Sequence, residues 1–144
     1  MGKGEWFARL DQYGCYLGAA FQIQDDLLNL TGSLAAYGKE ISGDLWEGKR
    51  TLILIEYLKC CTGARRADLE RFLGKARAER TEAEVRRVRD ELIGSGCIDV
   101  ARARARDLAE EAHAEAVRAF ADTPDSEDKQ FLLDLPFYVV ERSS

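Results

Sequence analysis

The densest polar cluster inside an otherwise apolar stretch of this chain is "FQIQDDLLN", residues 21–29. Gln22, Asp25, Asp26 and Asn29 are linked by steps of three and four, so on a helix they crowd one face. Two adjacent carboxylates repel each other when desolvated, and a cleft-facing pair is most easily kept by a bound cation. Hard oxygen ligands in that number suit Mg²⁺ better than zinc, because magnesium takes one or two carboxylates and completes its octahedron with water and substrate phosphate. The plainer reading is an Asp-Asp pair on a solvated helix surface, and the pair by itself does not decide between the two.

A second cluster weighs toward the metal. "GKEISGDLWEGKRT", residues 38–51, brings Lys39 and Lys49 into a glycine-punctuated segment directly after the carboxylate helix. Glycines allow close approach, and lysines act as point charges for phosphate. Carboxylates followed by phosphate-binding lysines is the arrangement expected for a diphosphate held through magnesium. Asp44 is then available as a further ligand or as a hydrogen-bond partner for a lysine. Taken separately, the same lysines read as solvent-exposed charges. The only histidine, His113, sits among Glu110, Glu111 and Glu115 and is expected on the surface.

The elements that must position these residues are all expected to be helical. Apolar residues from Trp6 to Leu30 fall mostly at helical steps, which predicts one long, largely buried helix. Residues 38–51 are too rich in glycine and mixed charge for a regular core element and read as a structured loop with one short helix. "TLILIEYLKCC" has β-branched residues, yet no second strand-like run exists to pair with it, so a buried helix is expected. Arg65–Ala78 is the next candidate. Thr81 followed by Glu84 has capping-box spacing and starts a helix that carries Val85, Val88, Leu92 and Ile93 on one side and ends at Gly94–Gly96. Further helices are expected over Ile98–Phe120 and from Thr123, with Pro124 in the first helical position and Phe131, Leu132, Leu135 and Val139 inward. The fold class is therefore all-α, an antiparallel helix bundle formed by residues 1–144 as a single domain.

Composition narrows the function. At 144 residues and 46% apolar, the chain can bury one core. Lys+Arg 21 against Asp+Glu 26 leaves a net charge of -5, which argues against a dedicated nucleic-acid binder. The arginine-dense segments, such as Arg102, Arg104 and Arg106, alternate with acids at salt-bridge spacings and read as solvated helix faces. Cys15, Cys60, Cys61 and Cys97 show no metal-ligand spacing and read as reduced thiols. No stretch approaches the roughly 20 apolar residues of a membrane span, and the chain is expected to be cytoplasmic.

The two clusters together resemble the trans-isoprenyl diphosphate synthases, the polyprenyl synthetase family that includes farnesyl and geranylgeranyl diphosphate synthases. "GAAFQIQDDLLNL" is similar to the family's second aspartate-rich motif with its preceding Phe-Gln, and "GKEISGDLWEGKRT" to its following G-K-x-x-G-x-D-L-x-E-G-K-x-T segment. "ELIGSGCIDVARARARDLAEEAHAEAV" continues the likeness more weakly, and "LPFYVVERSS" is similar to the family's closing helix. Asn29 stands where a third aspartate is usual, and Ser42-Gly43 exchanges the usual order of glycine and small residue before Asp44.

The resemblance implies the C-terminal half of the isoprenoid synthase fold. It implies that Asp25 binds the Mg²⁺ bridging to an allylic diphosphate, that Asp26 supports that site, and that Lys39 and Lys49 contact diphosphate oxygens. Phe21 and Gln22 would face isopentenyl diphosphate, the second substrate. Complete members are roughly twice as long and carry a first aspartate-rich motif and a basic isopentenyl diphosphate site, for which this sequence has no counterpart. The expected function is thus one half-site of a prenyltransferase that condenses an allylic diphosphate with isopentenyl diphosphate, inactive by itself. A homo-oligomer, or a heteromer with a chain carrying the other half, is expected. The rival expectation is a non-catalytic interaction or regulatory subunit of a full-length synthase. A class I terpene cyclase fits poorly, because the lysine-bearing segment is that of prenyl-elongating enzymes.

Overall fold

The computed structural model describes residues 2–32 and 42–142. Lys39, with its expected phosphate contact, lies outside them. Among the described residues the regular structure is helical, with no strand: α1 (Lys3–Thr31), α2 (Gly43–Glu47), α3 (Leu52–Cys60), α4 (Gly63–Leu73), a 3₁₀ turn (Arg77–Glu79), α5 (Glu82–Gly94), α6 (Cys97–Ala119) and α7 (Glu127–Glu141). The all-α expectation holds, including α3, whose β-branched residues had no strand to pair with. None of these helices is long and apolar enough to cross a membrane.

Helix starts follow side-chain chemistry. Thr51 accepts the Leu54 N–H at the start of α3. At α5 the expected capping box forms, with Thr81 accepting the Glu84 N–H and the Glu84 carboxylate returning to the Thr81 N–H. The last helix differs from expectation. It starts at Glu127 rather than near Thr123, because the Ser126 hydroxyl accepts the Lys129 N–H, and Glu127 and Asp128 favour the positive end of the helix dipole. The candidate over Arg65–Ala78 stops at Leu73 and resumes only as the 3₁₀ turn.

The residues cluster into two compact units, one made of the chain up to Gln24 with Arg102–Arg142, the other of the described part of Asp25–Ala101. In the first, Tyr13, Ala112 and Ala116 form a buried cluster flanked by Tyr16, Leu17, Phe120 and Leu133. The alanines of α6 keep its surface shallow, so larger side chains of its neighbours can fill the space between them. Two hydrogen bonds give the direction of packing. Tyr13 donates to the Leu132 carbonyl at 2.9 Å and Gln24 to the Arg142 carbonyl at 2.7 Å, so partners ascend together and α1 and α7 run parallel.

The Tyr13 bond also explains a proline inside α7. Pro136 has no N–H to offer the Leu132 carbonyl one turn earlier, and the Tyr13 hydroxyl supplies the missing donor. Tyr13→Phe should therefore cost about 1–3 kcal/mol of stability, measured by urea denaturation, because it strands that carbonyl without a cavity-forming change of shape. Next to it, His113 is half-buried rather than a surface residue: its Nδ1 lies 2.8 Å from the Leu133 carbonyl and its ring packs on Phe137. The expected inward set on α7 is corrected at Phe131, which is 62% exposed, while Val139 is buried.

In the second unit α5 packs against α2 and α3. Its buried Val85, Val88 and Leu92 share the core with Ile53, Leu54, Leu69 and Phe72, whereas Ile93, expected on the same side, is exposed. The cap of α5 is an acid-sensitive element. Hydrogen bonds from Lys75 and from Thr81 hold the Glu84 carboxyl down from 4.5 to about 2. A carboxyl depressed in the folded state stabilises fully above its unfolded pKa. The contribution of Glu84 is therefore present above about pH 4.5 and is lost as pH falls toward about 2. Glu84→Gln should flatten the acid limb of the stability curve in that window, read by denaturation at closely spaced pH values.

Candidate functional site

The carboxylates of "FQIQDDLLN" stand near the C-terminal end of α1. Arg89 on α5 donates to the Leu30 carbonyl at 2.8 Å, satisfying one of the acceptors that a helix end leaves open and tying α1 to α5 there. Asp26, only 5% exposed, accepts a hydrogen bond from the Lys49 ammonium at 2.9 Å. The same ammonium lies 3.4 Å from both carboxylate oxygens of Asp44. The structure thus brings Asp26, Asp44 and Lys49 together across 23 positions of sequence.

Asn29 has a definite task in this cluster. Its side-chain oxygen accepts the Asp44 N–H at 3.2 Å, and its backbone carbonyl accepts the Ser42 N–H at 2.9 Å. The residue at the third-aspartate position therefore seats the Asp44 segment on the carboxylate helix. Ser42 is held left-handed at φ 62, a conformation easy only for glycine, which stands one position later. The exchange of Ser42 and Gly43 thus carries a local strain. Ser42→Gly is expected to raise stability by about 0.5–1 kcal/mol, seen as a shifted denaturation midpoint with unchanged slope.

Among the described residues the cluster is acidic around the partly exposed Lys49 ammonium. Burial pushes the Asp44 carboxyl above its ordinary value; Lys49 opposes this, while the charges of Asp26 and Asp25 add to it. The Lys49 ammonium is held above its ordinary value chiefly by its hydrogen bond to Asp26, and so stays protonated. Carboxylate oxygens are the hard donors that a divalent cation such as magnesium takes. Asp25 and Asp26 are the residues that would hold it, with Asp44 beside them. Among the described residues no group of three or more His, Cys, Asp and Glu side chains is arranged to hold a metal ion by itself.

Phe21 and Gln22 precede the carboxylates on α1 and group with the first unit. Phe21 is 45% exposed, with the Arg142 guanidinium 4.3 Å from its ring centre. The residue that sequence reasoning missed is Arg80. It is buried, and it donates to the carbonyls of Trp46, Phe72 and Leu73. Its partners are backbone atoms, which carry no side-chain signal in a sequence.

Comparison with known proteins places this geometry in a family. The family profile described as Polyprenyl synthetase matches residues 1–92, which contain α1, the Asp44–Lys49 segment and Arg80. The chain belongs to the polyprenyl synthetase family. Among this family's members it is 37% identical over 130 residues to the geranylgeranyl pyrophosphate synthase of Geoglobus acetivorans, a match covering 90% of this chain and 37% of that protein. It is 33% identical over 134 residues to the octaprenyl diphosphate synthase of Haemophilus influenzae, covering 93% of this chain and 39% of that one. A solved polyprenyl synthase from Caulobacter crescentus, complexed with calcium and isoprenyl diphosphate, superimposes with a TM-score of 0.77 at 37% identity, over 95% of this chain and 40% of that chain. The chain thus spans about two fifths of the length of the polyprenyl synthetases it matches.

Proposed function

We propose that these residues supply the second magnesium and diphosphate half-site of a trans-prenyltransferase that joins an allylic diphosphate to isopentenyl diphosphate. The observation that carries this reading is the Asp26–Lys49–Asp44 cluster: the buried Asp26 and half-buried Asp44 carboxylates meeting one protonated lysine, in a family member similar to a polyprenyl synthase solved with calcium and isoprenyl diphosphate. Magnesium bound at Asp25 and Asp26 would neutralise charge on the diphosphate as the allylic C–O bond ionises. Lys49, and Lys39 by resemblance, hold diphosphate oxygens in place and stabilise the departing pyrophosphate as preorganised charge. Phe21 and Gln22 face the isopentenyl alkene, which bonds to the allylic carbon; a proton then leaves, giving the longer prenyl diphosphate and pyrophosphate. No side-chain nucleophile takes part.

The sequence contains a single Asp-Asp pair, so this reading requires the first carboxylate set, and the basic site for the diphosphate of isopentenyl diphosphate, from residues outside these 144, in the same protein or in a partner. The test is a prenyl-transfer assay on the purified chain with Mg²⁺, labelled isopentenyl diphosphate and mixed allylic diphosphates, with Asp25→Ala as control. No product from the chain alone, with product on adding back a first-half partner and its loss in the control, is the expected result. Product from the chain alone would overturn the half-site reading. Enhancement of a full-length synthase that survives Asp25→Ala would identify a non-catalytic regulatory subunit instead.

A further inference from the structure

We infer that Arg80 is the positioning residue of the Asp44–Lys49 segment, setting where the Lys49 ammonium stands; the inference rests on the reading of Lys49 as a diphosphate ligand. Arg80 is only 7% exposed, and its planar fork is divided between two places. Nε and Nη2 face the carbonyls of Phe72 and Leu73, at 3.4 and 3.3 Å, the last two residues of α4. Nη1 donates at 2.5 Å to the carbonyl of Trp46, in the last turn of α2. All three carbonyls stand in last turns, where helix ends leave acceptors without intrahelical donors; that of Phe72 also accepts the Lys75 N–H at 3.2 Å. The guanidinium carbon stands over the Phe72 ring, 5.2 Å from its centre.

The Trp46 arm acts on Lys49 through a short, fully bonded turn. Gly48 N–H donates to the Leu45 carbonyl and Lys49 N–H to the Asp44 carbonyl, at 3.1 and 2.9 Å. Gly48 is left-handed at φ 69, and a Cβ placed there would run into the Arg80 guanidinium. The glycine thus leaves room for the arginine, which pins the carbonyl three residues before Lys49. At its other end the segment is seated on Asn29. With both ends held, the backbone from which the Lys49 ammonium reaches Asp26 and Asp44 is fixed.

Two variants perturb this clamp from opposite sides. Arg80→Lys keeps the charge and removes the fork, and Gly48→Ala keeps Arg80 and crowds it. Hydrogen exchange should quicken at the Gly48 and Lys49 amides by at least about tenfold in each, with α5 core amides unchanged. Affinity for inorganic pyrophosphate with Mg²⁺, measured by titration calorimetry well below the melting temperature, should fall about 10-fold to 100-fold. In a Lys49→Met background the same changes should cost no further affinity, a non-additivity that a merely structural arginine would not give. Unchanged exchange at Gly48 and Lys49, or an affinity loss that persists in the Lys49→Met background, overturns the inference. Quickened exchange in a chain whose unmodified form binds no pyrophosphate supports the clamp while removing the diphosphate reading.

Discussion

Lys49→Met is expected to lower the affinity of the chain for pyrophosphate in the presence of Mg²⁺ by about 100-fold or more, with little effect on folding. The ammonium is the cation that the structure places between Asp26 and Asp44, and its pKa is raised, so it carries its charge across the whole working range of pH. Methionine keeps most of the side-chain bulk and removes only the charge. Without it, an anionic ligand approaches a set of carboxylates in which burial and the charges of Asp26 and Asp25 already disfavour ionisation of Asp44. Lys49 is about two fifths exposed, so solvent screens its ion pairs and the stability change should stay within about 1 kcal/mol. Titration calorimetry at two ionic strengths checks this. An affinity within a factor of about two of the parent would remove Lys49 from the diphosphate site.

Phe72→Ala carries the largest expected loss of stability. Phe72 is among the largest fully buried side chains, and it also supports the Arg80 guanidinium. The substitution leaves a cavity and removes a ring contact, which together should cost about 3–5 kcal/mol in urea denaturation. Phe131→Ala is the matching control: that ring is 62% exposed, and its removal should cost no more than about 0.5 kcal/mol. Equal losses at the two positions would mean that the second unit is not organised around Phe72.

Much of this molecule is legible in its sequence because the interactions concerned are local or periodic. Thr81 and Glu84 lie three positions apart, and the box they form needs only the helix they start. The carboxylate helix shows as a repeating apolar spacing, and the two motifs at 21–29 and 38–51 carry the family. Terminal details failed where two local signals competed. Pro124 is a good first helical residue, yet Ser126 with two acids behind it starts the helix instead. Phe131 and Ile93 sit on faces that periodicity alone counts as inward, and only packing shows which part of an apolar stripe has a neighbour.

The sequence by itself determined the helical class and the family, since these depend on residue type, spacing and period. The tertiary structure alone decided that Asn29 seats Asp44, that Tyr13 completes the helix broken by Pro136, that α1 and α7 run parallel, and that Arg80 joins the ends of α2 and α4. The physical reason is common to these cases. Their partners are backbone N–H and carbonyl groups, which every residue but proline carries in full, so no pattern of side chains can announce which of them a distant donor or acceptor will meet.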